Sequence, residues 1–243
     1  MKMLAFAKRN FKEIIRDPLN LAFLFGFPMV LLLLLSAIQA NIPVSMFEIE
    51  QLSPGIAVFG LSFMTLFSAT LIAKDRQISF MHRLYTTPLK PIDFILGYTL
   101  PLIPMALAEC IATYFVAVIL GLRININIFI SILFIIPTAL LYVGMGLLCG
   151  SVFNDKQVGG VCGALLTNLS AWLSGIWFDL ELVGGGFKKV AYILPFVHSV
   201  EMERAAILGN YSEILPHFLW VTGYAVAILI IAVVLFLRQM KKQ

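Results

Sequence analysis

Six apolar runs constrain this chain more than any other feature. They cover residues 21–38, 55–73, 92–120, 127–150, 158–178 and 218–237. A run of about 18 or more apolar residues is long enough to cross the hydrocarbon core of a bilayer as a helix. A chain of 243 residues that is 60% hydrophobic and only 12% charged has too little polar surface to cover six such runs in water. In hydrocarbon every backbone amide needs a partner, and a helix supplies it from within. The expected class is all-α integral membrane, a single domain over 1–243 with six transmembrane helices and no tandem repeat.

The charges predict which way the chain is threaded. Lys2, Lys8, Arg9, Lys12 and Arg16 precede the first run, and Lys74, Arg76, Arg83 and Lys90 lie between the second and third. Lys156 falls between the fourth and fifth, and Arg238, Lys241 and Lys242 follow the last. Only Arg123, Lys188, Lys189 and Arg204 fall on the alternate side, thirteen basic residues against four. Basic residues accumulate on the cytoplasmic side, so both termini are expected there, in a multi-pass protein of the cytoplasmic (inner) membrane. Residues 1–18 read as an amphipathic helix in the headgroup plane. Met3, Leu4, Ala7, Phe11, Ile14 and Ile15 line one face and the basic residues the rest. Its charges extend too far, and the following run is too long, for a cleaved signal peptide. Asp17-Pro18 ends it, and Pro28 predicts a kink in the first span.

Several functions are excluded by what the chain lacks. No basic patch with interleaved aromatics stands apart from the membrane boundaries, so no nucleic acid is expected. Cys110, Cys149 and Cys162 sit inside apolar runs, and His82, His198 and His217 are scattered, so no metal site is predicted. The glycine-rich stretch Gly184-Gly-Gly-Phe-Lys-Lys189 lacks the spacing of a phosphate-binding loop. The chain is expected to be no enzyme and to bind no cofactor of its own.

The stretch 74–91 is the most polar between two spans. Ile78, Met81, Leu84 and Tyr85 fall close to one helical face, and Pro88 and Pro91 end the pattern, which predicts a short helix across the mouth of two spans. Arg83-Leu-Tyr-Thr-Thr-Pro-Leu-Lys-Pro-Ile-Asp-Phe-Ile-Leu-Gly97 resembles the corresponding segment of ABC transporter type-2 permeases. Leu173-Ser-Gly-Ile-Trp-Phe178, Leu194-Pro-Phe-Val-His-Ser199 and Glu201-Met-Glu-Arg204 are similar to that family's ending. The resemblance implies a coupling helix between spans two and three that rests on a separate ABC ATPase subunit, which would bind ATP and Mg. It assigns Asp75, Arg76, Ile78, Met81, His82, Arg83, Leu84, Thr86 and Thr87 to that contact. It also implies a second permease subunit, as homodimer or heterodimer, and a pathway lined by spans one, two and five. Residues 179–217 would be a re-entrant outer segment. The acidic-basic-acidic cluster common before the coupling helix is reduced here to Asp75-Arg76.

Inside the spans, Glu109 is an ionisable residue near mid-membrane, where a charge costs roughly 2.5–3.5 kcal/mol on insertion scales. It reads as a structural hydrogen bond, a contact to a cationic substrate, or a proton carrier. Thr167, Asn168, Ser170 and Ser174 give the fifth span a polar stripe that lines a path or bonds a neighbouring helix. The apolar spans suit an amphiphilic substrate: a drug, an antibiotic peptide or a lipid-linked molecule. The expected function is ATP-driven export through a permease subunit, with membrane lipids around it. The alternative is a self-sufficient proton-coupled carrier using Glu109. An intramembrane enzyme lacks a histidine within a span to activate Ser170 or Ser174.

Overall fold

The structure, a computed structural model, describes residues 2–43, 47–77 and 91–240. Every regular element among them is a helix. Helix α1 is Lys2–Ile15, α2 Pro18–Gln39, α3 Ile49–Gln77, α4 Pro91–Thr99, α5 Leu102–Ile119 and α6 Ile126–Val152. Helix α7 covers 155–172, α8 is Leu180–Val183, α9 Gly185–Ile193, α10 Pro195–Leu208 and α11 Tyr211–Met240.

Among the described residues, five stretches are long and apolar enough to cross a membrane: α2, α3, α4 with α5, α6 and α11. The expected fifth span, 158–178, is not one of them. Its helix, α7, begins on the polar Asp155-Lys156-Gln157 and stops at Trp172, where the chain turns through Gly175 at φ +71°. The expected single span 92–120 is broken at Leu100-Pro101, where proline removes an amide donor. Helix α11 starts seven residues before the expected 218. The sequence 179–217 forms the short helices α8 and α9 and the longer, largely buried α10.

Local chemistry sets these ends. The Asp17 carboxylate accepts from the amides of Leu19 and Asn20, at 3.1 and 3.3 Å, and caps α2 with Pro18 at its first position. The kink expected at Pro28 takes the form of a π-helical stretch over Ala22–Gly26, closed by the Phe27 amide on the Ala22 carbonyl. Widening the turns just before a proline relieves the clash of its ring with the preceding carbonyls. A reciprocal capping box, Asn154 with Gln157, opens α7, which is itself π-helical over Gly159–Leu166. Gly209 ends α10 in the left-handed conformation, φ +79°.

Helix α3 is the centre of the bundle, buried along almost its whole length between α2, α5, α6, α7 and α10. Small residues set its contact with α6. A methyl group added at Gly150 would lie 2.7 Å from the Ala69 carbonyl oxygen, and one at Gly146 2.6 Å from that of Thr65. The Thr65 hydroxyl donates to the Tyr142 carbonyl across the same seam at 3.0 Å. Without a hydrophobic drive inside lipid, such close backbone approach is what holds helices together.

Helix α1 lays one side on the bundle, and that side only partly overlaps the apolar face expected of it. It buries Phe6, Ala7, Asn10 and Ile14, while Leu4 and Ile15, assigned to its apolar face, are 58% and 43% exposed. The reason lies in α4: Phe6 seats on the bare backbone of Gly97 and stacks edge-on against Tyr98 and Phe94, which rotates the helix.

Candidate functional site

The end of the bundle that carries α1 is tied by buried polar contacts. Asp75, in the last turn of α3, is fully buried. Its two oxygens accept from Arg9 of α1 at 2.6 and 2.8 Å, and Oδ2 also accepts from the Tyr98 hydroxyl of α4 at 2.9 Å. Beside it, Asn10 donates to the Gly97 carbonyl at 2.9 Å. Burial acts to lower the pKa of the Arg9 guanidinium, but the Asp75 hydrogen bond and charge outweigh it and raise it, so Arg9 stays a cation. Arg76 donates to the Gly150 carbonyl at 2.8 Å and to that of Phe153 at 3.4 Å, a cation on the negative C-terminal end of α6.

Of the residues expected to touch an ATPase subunit, Asp75 and Arg76 are thus engaged inside this chain, Asp75 wholly so. Ile78, Met81, His82, Arg83, Leu84, Thr86 and Thr87 lie outside the described residues. What the structure describes is the frame on either side. The chain leaves α3 at Gln77 beside the Arg76 cap and returns at Pro91 into α4, which is held by Asn10 on its Gly97 carbonyl and by its own Tyr98 on Asp75. Sequence reasoning missed Arg9, Asn10, Gly97 and Tyr98 as parts of this junction, because no periodicity connects positions 66 or 87 residues apart.

Glu109 lies mid-way along α5 and is fully buried. Its Oε1 accepts from Thr113 at 3.0 Å, and Oε2 has no hydrogen-bond partner among the described residues. Its carboxyl fills the space left by the missing side chain of Gly60 on α3, beside Pro28 of α2. The group therefore faces protein, as its hydration cost demands. A second buried carboxyl, Glu203 of α10, was not anticipated. It accepts from Ser131 of α6, whose hydroxyl also meets the Tyr114 hydroxyl of α5. The available signal was its register: Phe196, Val200, Glu203 and Ile207 share one face of α10, and all four are buried.

The polar stripe of α7 turns inward on its own backbone. Thr167 donates to the Cys162 carbonyl, Ser170 to Thr167 and Ser174 to Ala171, each at 2.9 Å, and all three side chains are buried. The five-residue reach of Thr167 matches the π-helical widening beneath it. Only Asn168 of the four is exposed, and its amide is bonded to Ala164 at 2.8 Å. With Gly160, Ala164, Leu165 and Trp172 it forms one outer face of α7.

Helix α2 carries the other large unburied face: Phe23, Phe27, Val30, Leu33, Leu34 and Ile38. Phe23 and Phe27 begin an aromatic chain that runs through Phe63 and Phe59 of α3 to Trp177, with successive ring centroids 5.5–5.7 Å apart. At that far end Arg204 of α10 donates to the carbonyls of Gln51 and Gly175, at 3.2 and 3.0 Å, and pairs with Glu201. It so fixes the turn after α7 to the start of α3.

Comparison with known families matches residues 1–208 to the ABC-2 type transporter model. The chain belongs to the ABC-2 type transporter family. No curated protein matches it. The match takes in α1 through α10, and α11 follows it. As an ABC-2 permease the chain is the multi-pass membrane component of an ABC-type transport system, without an ATPase site of its own. The glycine-rich stretch forms the turn between α8 and α9, with Gly184 and Gly185 at φ +62° and +56°.

Proposed function

We propose that this ABC-2 permease is the membrane subunit of an ATP-driven exporter. The observation that carries the reading is the anchored junction on either side of residues 78–90. A partner pressing on that segment would push on α3 through Asp75 and Arg76, on α4 through Tyr98, and on α6 through the Gly150 carbonyl. Side chains that lock four helices at one spot make the junction a stiff lever, not a loose connection.

In this reading both termini and residues 74–91 are cytoplasmic, by the positive-inside bias, in the inner membrane. An ABC ATPase subunit, holding ATP and Mg, docks on 74–91. Helix α7 with the turn to 178 serves as a sixth crossing, and α8 to α10 fold back at the outer end. The unburied faces of α2 and α7 meet a second permease subunit and enclose the path with α3. Two observations support a moving pathway there. Both helices carry π-helical stretches, which recur at functional sites. The aromatic chain from Phe23 to Trp177 gives an amphiphilic substrate an apolar track.

The test is co-purification of the ATPase subunit with Met81→Asp and Leu84→Asp variants, alongside transport. A truncated or charged central anchor in such an interface costs about 2 kcal/mol or more. We expect normal membrane levels, weakened ATPase association and lost export. Full retention of both by the two variants would overturn the reading.

A further inference from the structure

We propose that the corner between α1 and α2 is a docking surface for the phosphate headgroups of anionic phospholipids. An open cleft of about 800 Å³ lies there, lined by Ala5, Lys8, Arg9, Lys12, Glu13, Arg16, Asp17 and Pro18. Its charges are not balanced once their partners are assigned. Glu13 is held by Arg9 at 2.7 Å, and Arg9 by Asp75. Asp17 is committed to the first amides of α2. Lys8, Lys12 and Arg16 have no ion-pair or side-chain hydrogen-bond partner among the described residues. Spaced four residues apart, Lys8 and Lys12 stand on one line along α1, and Arg16 follows in the turn just past its end.

Apolar side chains flank that line. Leu4, Ile15 and Leu19 are 58%, 43% and 64% exposed, although α1 buries its opposite face on α4. Exposed leucine and isoleucine beside unpaired cations suit one environment, the boundary between acyl chains and anionic headgroups. A soluble acidic protein would match the charges but leave these apolar groups without a partner. The corner is also mechanically placed. The residue between Lys8 and Asn10 is Arg9, which grips Asp75 at the end of α3, so a headgroup that pins α1 pins the junction. The inference rests on the membrane placement of the proposed function and is independent of its ATP coupling.

The experiment uses the full chain in nanodiscs, with native mass spectrometry counting retained phosphatidylglycerol against phosphatidylcholine. Each basic residue near an anionic surface contributes roughly a fivefold factor, so Lys8→Gln, Lys12→Gln and Arg16→Gln together lower phosphatidylglycerol affinity on the order of 100-fold at low salt. Lys8→Arg, Lys12→Arg and Arg16→Lys keep the charge and retain the lipid, which separates loss of binding from loss of fold. Excess inorganic phosphate should displace little phosphatidylglycerol, since it lacks acyl chains. Equal retention of the two lipids by the native chain, unchanged retention in the triple Gln variant, or full displacement by inorganic phosphate would each overturn the proposal. The readout is binding, so it stands or falls apart from any result on export.

Discussion

The bond between Asp75 and Arg9 is the sharpest test of the junction. Breaking a fully buried ion pair from one side costs about 3–5 kcal/mol. Asp75 is buried, but the Arg9 side chain is 33% exposed and keeps Glu13, so water and Glu13 recover part of that loss. Asp75→Asn, which preserves shape and one carbonyl oxygen, should therefore cost about 1–2 kcal/mol. Asp75→Ala also strips the Tyr98 hydroxyl of its acceptor and adds roughly 1 kcal/mol. The loss should be local, because α1 is attached to the bundle mainly through α4 and this pair. Hydrogen exchange of the α1 amides reads it: a change of 1–2 kcal/mol in local opening is about a 5–30-fold faster exchange. In a double-mutant cycle with Arg9→Gln the two effects should fail to add by about 1–2 kcal/mol. Unchanged α1 exchange in Asp75→Asn, or strict additivity with Arg9→Gln, would refute the reasoning.

Gly150→Ala forces a methyl group to 2.7 Å from the Ala69 carbonyl oxygen, so α3 and α6 must part, and a loss of about 1–3 kcal/mol in thermal stability is expected. Gly223→Ala, with open space around it, should be neutral or stabilising in the same melt. Glu109→Gln keeps the acceptor for Thr113 and should leave ATP-driven export intact; complete loss with normal assembly would favour the proton-coupled alternative. Acidification should loosen the helices around His198. Its Nδ1 lies 2.8 Å from that of His217, which requires one of the two nitrogens to be unprotonated, and its Nε2 donates to the Tyr192 carbonyl. Burial lowers the His198 pKa, against raising effects of the Tyr192 carbonyl and Glu201. A lowered folded value means the stabilisation is complete above the unfolded pKa of about 6.5 and fades as pH falls through the folded one. Exchange of the α9 and α10 amides should rise accordingly, and a pH-independent profile would count against the pair.

The class of this protein, and most of its spans, followed from the sequence because they depend on local chemistry. Apolar length makes a helix in lipid whatever it packs against, so α2, α3, α6 and α11 were legible, as was the break at Asp17-Pro18. The ABC-2 resemblance rested on short motifs, at 83–97 and between 173 and 204, and needed no contacts. The fifth span was the weak case: six polar residues spread over 155–170 leave its hydropathy below the others, and its length was overread through Gly175. What tertiary structure alone decided is which polar groups meet. Asp75 was expected to look outward to a partner and instead receives Arg9 and Tyr98. Helix α1 turns by the fit of Phe6 on Gly97, so its buried side takes in Phe6 and Asn10 and leaves out Leu4 and Ile15 of the face its periodicity drew. Glu203 was read only as part of the Glu201-Met-Glu-Arg204 motif of a re-entrant outer segment, and it lies in the core beside Ser131. A periodicity shows that a residue shares a face with others; the partner is set by the neighbouring helix. Here buried polar groups must find partners across 66 to 72 residues of sequence, and only folding brings those partners together.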